Sequence, residues 1–85
     1  MVYRVVWREE FKARGEWRVF RVKAYNFSQR NDRLGAKEAM CFLREERQRL
    51  KRRGCRCRLF RFARIAGDQE TELTLTGSVR NRPFR

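Results

Sequence analysis

The stretch REERQRLKRRGCRCRLFRFAR, Arg44 to Arg64, decides how the chain folds, because two periodicities meet inside it. Up to Arg53 it completes a helical repeat. Ala36, Ala39, Met40, Leu43 and Leu50 recur at spacings of three, four and seven and make one apolar stripe, with Phe42 at its border. After Gly54 the period is two: Cys55, Cys57 and Leu59 alternate with Arg56, Arg58 and Phe60, the pattern of a half-buried strand. Gly54 stands where a helix closes on a left-handed residue. Lys51, Arg52 and Arg53 just before it suit the negative end of the helix dipole. Arg47 interrupts the stripe, and its stem is expected to line the core edge while its head reaches water. At the other end, Gly35 is the expected N-cap, with Glu38 in the capping-box position.

Toward the N-terminus, residues 2–11, VYRVVWREEF, alternate, with Tyr3, Val5 and Trp7 on one face and Arg4, Val6 and Arg8 on the other. Lys12–Gly15 is a turn signal, and Glu16–Tyr25 is a second strand, so a β-hairpin opens the protein. Asn26–Arg33 is polar and predicts a loop. Beyond the quoted stretch the third strand extends to Ile65 and AGDQ, Ala66–Gln69, turns the chain. Thr71–Thr76 then alternates Leu73 and Leu75 with polar residues as a short fourth strand. The order β-β-α-β-β predicts an α+β fold: one small domain over residues 1–79, an antiparallel sheet with one long helix packed on one face. Residues 80–85, RNRPFR, form a basic C-terminal tail that is expected to be mobile.

At 85 residues with 41% hydrophobic content the chain can bury a modest single core, and 13% aromatic residues argue against disorder. The formal net charge of +13 predicts attraction to polyanions. Of the 23 basic residues 19 are Arg, whose planar fork grips phosphate oxygens in pairs. Codon usage in a GC-rich genome would also enrich Arg, though it would not remove the charge.

Catalysis is not expected. There is no His, no Gly-rich phosphate loop and no candidate base for Ser28 or Ser78. The neighbouring carboxylates Glu9–Glu10 and Glu45–Glu46 do not converge and are expected to be solvated. Three cysteines at 41, 55 and 57 without His lack the spacing of a zinc site, so no metal or cofactor is expected and all three predict small buried apolar side chains. No apolar run reaches the length of a membrane span, and MVYRVVWREE is too charged for a signal peptide, so the expected location is cytoplasmic, with no membrane partner.

If Cys55, Cys57 and Leu59 point at the helix, then Arg56, Arg58, Phe60, Phe62 and Arg64 point away. If Phe20, Val22 and Ala24 point in, then Trp17, Val19, Arg21, Lys23 and Tyr25 point out, next to Arg4 and Arg8. Such a face is basic and aromatic together, the chemistry of nucleic-acid binding on a sheet, continued by Lys51, Arg52 and Arg53 at the helix end. The same face could instead serve as a protein interface, including that of a homodimer. In VFRV (19–22) and LFRF (59–62) adjacent apolar residues fall on opposite faces, so a bulge would invert either assignment.

The layout YRVVWRE…WRVFRV…EAMCFLREERQRLKRRGCRCRLFRF resembles small Arg-rich proteins encoded by bacteriophages of GC-rich hosts, over roughly residues 3–62. That resemblance implies a protein in the host cytoplasm that binds nucleic acid or a host protein. EWRVFRV followed by KEAMCFL is more faintly similar to integrase-type sheet-plus-helix DNA-binding domains, which place three strands before the helix where this chain shows two. The expected partner is DNA or RNA. The alternative is an acidic surface on a host polymerase, nuclease or defence complex.

Overall fold

Alternation carries the opening hairpin further than its first ten residues suggest. In the computed structural model, which describes residues 1–77, β1 spans Val2–Ala13 and β2 spans Glu16–Ser28. Arg14 and Gly15 join them with φ of 53° and 81°. Two left-handed central residues give a turn whose twist matches that of the strands. The helix α1 is Asp32–Lys51, β3 is Cys55–Ala66 and β4 is Gln69–Glu72. The fold is α+β in the order β-β-α-β-β, as the sequence predicts. All neighbouring strands are antiparallel in the order β2-β1-β3-β4, and α1 lies against β1 and β3. The expected tail at 80–85, and the last two residues of the expected 1–79 domain, lie outside the described residues. Among the described residues no helix is long and apolar enough to cross a membrane.

The core lies between α1 and one sheet face. Tyr3, Val5 and Trp7 of β1, Phe27 of β2, and Cys57 and Phe62 of β3 meet Ala36, Ala39, Leu43 and Leu50 of the helix. Tyr3 is the central ring, stacked between Phe27 at 5.6 Å and Phe62 at 5.9 Å. Tyr25 stacks on Phe42 of the helix at 4.2 Å.

Several expected details move. The N-cap is Asn31, whose side chain accepts from the Leu34 N–H at 2.9 Å, and Gly35 lies inside the first turn. Gly35 has a different use: a Cβ there would sit 3.0 Å from three atoms of the buried Tyr3 ring, so only glycine lets the helix approach β1 this closely. Glu38 accepts from the Gln29 side chain at 2.9 Å instead of closing a capping box. Met40 is exposed although it belongs to the apolar stripe, and Cys41 is exposed rather than buried. Cys55 is half-buried and Cys57 buried, and burial pushes the Cys57 thiol up to about 11, so it packs as a small neutral side chain. The helix ends as expected, with Gly54 left-handed at φ 72°.

The segment expected as a loop from Asn26 begins with strand, because β2 continues to Ser28. The fourth strand also starts earlier than expected. Only Gly67 and Asp68 turn the chain, with Ala66 paired to Gln69, so the strand is Gln69–Glu72 and not Thr71–Thr76. Leu73 then donates its N–H to the Phe62 carbonyl at 2.9 Å and is buried, and Gly77 closes a turn onto Thr74.

Two bulges decide which side chains face where. Val6 pairs with Arg61 but Trp7 pairs with Leu59, so Phe60 is an extra residue in β3. Glu9 pairs with Arg21 but Glu10 pairs with Val19, so Phe20 is an extra residue in β2. Beyond each bulge the alternation inverts. Phe62 therefore enters the core at 2% exposure, against the expectation that it points away from the helix. Arg64 follows it to the helix side, opposite Tyr3. In β2, Arg21, Lys23 and Tyr25 lie on the helix side, in register with Glu9, Trp7 and Val5, whereas Val22 and Ala24 take the open face. Without the bulge in β3, strict alternation from Leu59 would aim Arg61 at the helix and Phe62 at water. One unpaired residue costs less than that exchange.

Candidate nucleic-acid interface

The sheet face away from α1 is built from alternate residues of β1 to β3. Arg4, Val6, Arg8, Glu10 and Lys12 come from β1, Trp17 and Val19 from β2, and Arg56, Arg58, Phe60 and Arg61 from β3. Of the residues expected here, Arg4, Arg8, Trp17, Arg56, Arg58 and Phe60 share this face. Arg21, Lys23, Tyr25, Phe62 and Arg64 do not, for the bulge reason above. Lys51, Arg52 and Arg53 lie exposed at the helix end leading into β3.

The cations on this face are not equivalent. Arg4 is tied to Glu70 at 2.9 Å and to Asn26 at 3.0 Å, and Arg61 reaches the same Glu70 at 3.1 Å. Arg56 donates to the buried Glu10 at 2.6 Å and lies over Trp17, 4.3 Å from the ring centre. Arg8, Arg58 and Lys12 have no carboxylate partner among the described residues. Arg8 and Arg58 stand directly opposite each other on β1 and β3. Like charges so placed destabilise a sheet and leave a concentrated positive site open to an anion. Arg8 lies 4.6 Å over the ring of Phe60, which is 43% exposed. Lys12 was missed because β1 was expected to end at Phe11. The alternation Arg8–Glu10–Lys12 was the signal that the strand continues.

Glu9 and Glu10 correct another expectation, since both are buried rather than solvated. They point to opposite faces, as neighbours in a strand must. Glu9 sits under the helix, where the Trp7 indole donates to it at 3.2 Å and Arg49 at 3.0 Å, with Arg21 at 3.3 Å.

Arg64 has a structural job. It pairs with Asp32, which also accepts from the Tyr3 hydroxyl at 2.8 Å, pinning the first turn of α1 to the sheet. Burial works to raise the Asp32 carboxyl. The hydrogen bonds from Arg64 and Tyr3 and the Arg64 charge outweigh it and hold the group below the usual carboxylate range. Burial first, and Asp32 second, push the Tyr3 hydroxyl up to about 12. A depressed carboxylate stabilises the fold above its unfolded pKa of about 4, and that contribution is lost as pH falls through the folded value. Asp32→Asn is therefore expected to melt lower than the wild type at neutral pH, with the gap closing in acid. Thermal melts across that range check this, and a gap that persists at low pH would contradict it.

No family model matches the chain, and no curated protein or solved structure matches it either.

Proposed function

We propose that this protein binds nucleic acid through the open sheet face, with phosphates held by Arg8, Arg58 and Lys12 and by the basic helix end Lys51–Arg53. The observation that carries the reading is the cross-strand pair of Arg8 and Arg58, two cations in register that form no ion pair with a carboxylate among the described residues. A net charge of +13 supplies the long-range attraction. With about 4–6 phosphates neutralised, log affinity for duplex should fall against log salt with a slope of roughly −4 to −5. Arg58→Glu is expected to weaken binding about tenfold or more and to shallow that slope by about one unit, because a phosphate contact is lost and a repulsive charge replaces it. Titrations at several salt concentrations measure both. A flat slope for the wild type, or an unchanged one for Arg58→Glu, contradicts the proposal.

A second reading has one observation in its favour. β2 is an edge strand, and Val19, Phe20 and Val22 are exposed along it beside Arg18 and Lys23. An acidic extended segment of a partner protein could pair there. Affinity purification with and without nuclease separates the two: nuclease-sensitive recovery supports nucleic acid, and one stoichiometric protein partner supports the second.

A further inference from the structure

We infer that this face grips the phosphodiester backbone with arginine forks held on aromatic rings, and does not stack bases, with Phe60 acting as the residue that positions Arg8. The inference rests on the nucleic-acid reading above. Exposed rings on a basic sheet ordinarily suggest base stacking. Here both Phe60 and Trp17, the rings on the face among the described residues, already carry a cation. Arg8 Cζ lies 4.6 Å from the Phe60 centre and Arg56 Cζ 4.3 Å from the Trp17 centre, with Lys12 Nζ at 5.9 Å from the same indole.

Arg56 is fixed twice, by Trp17 and by the carboxylate of Glu10. Among the described residues Arg8 is held by Phe60 alone. A free arginine stem has many rotamers, and ordering it on binding costs affinity. A ring beneath the guanidinium selects the bound rotamer beforehand and leaves the N–H fork for phosphate oxygens. The opposing Arg58 brings a second fork to the same row of the sheet. The ligand class is a phosphodiester, and base identity should not matter.

The test uses the full chain and two labelled probes, oligothymidylate and oligodeoxyadenylate of about 12 nucleotides. The wild type is expected to bind both alike. Phe60→Leu is expected to weaken both by about three- to tenfold. It should also shallow the salt slope by about 0.7, one phosphate on a single strand. Phe60→Tyr, which keeps the ring, should restore affinity and slope. Arg8→Lys keeps the charge but loses the fork, so it should show the same loss in affinity, and adding Phe60→Leu to it should cost little more. Melts confirm that each variant is folded; if Phe60→Leu is not, Arg8→Lys decides alone, an equal loss for both probes supporting the inference and full affinity overturning it. Affinity lost mainly for oligodeoxyadenylate with the slope unchanged would mean base stacking and overturn the inference. Full affinity in Phe60→Leu would overturn it too. If the wild type binds neither probe, the nucleic-acid reading itself falls.

Discussion

Phe62→Ala is expected to cost about 3–5 kcal/mol of folding stability, the usual loss for a buried aromatic ring. Phe62 is 2% exposed, stacks on Tyr3 at 5.9 Å and lies beside Leu73, which bonds to its carbonyl. A domain of this size has on the order of 4–13 kcal/mol in total, so a large unfolded fraction or a strongly lowered melting temperature should follow. Phe60→Ala, two residues away on the open face, is expected to change stability by about 1 kcal/mol or less. Urea melts of the two variants test the bulge directly. Without it the costs would be reversed, and a stable Phe62→Ala protein would show that the ring does not lie under the helix.

Glu9→Ala is expected to cost about 2–3 kcal/mol. The substitution removes the acceptor of the Trp7 indole and the shared counter-charge of Arg49 and Arg21. Trp7 is buried, so its N–H would be left unsatisfied. The two guanidiniums are about half exposed and can turn to water, which keeps the cost below that of stranding buried cations. Glu9→Gln should lose less, because an amide oxygen can still accept from Trp7. Melts at low and high salt separate the parts: the charge contribution weakens with salt and the indole bond does not. If Glu9→Ala is as stable as the wild type, desolvation of the carboxylate cancels everything its partners supply.

Local pattern sufficed for much of this protein. The helical stripe up to Leu50, the left-handed stop at Gly54 and the alternation of Cys55, Cys57 and Leu59 are short-range signals. Each depends on residues within one or two turns, and the element order follows from them. The same holds for Arg8, Arg56 and Arg58, where the alternation counted from Tyr3 or Cys55 still applies, and for Phe60, the bulged residue itself, up to which the count from Cys55 runs. Tyr25, Lys23, Arg21, Phe62 and Arg64 lie past a bulge, and their faces could not be counted. VFRV and LFRF each offer two phases of similar local merit. The choice between them belongs to the neighbours: Tyr3 on β1 provides a stacking surface for Phe62, and Phe42 on the helix provides one for Tyr25. Glu9 was illegible for the same reason. Its burial depends on Trp7 nearby but also on Arg21 and on Arg49, forty residues further along the chain. A strand's side-chain period is a property of its own backbone, whereas the burial gained by breaking that period exists only once the other strands and the helix are in place.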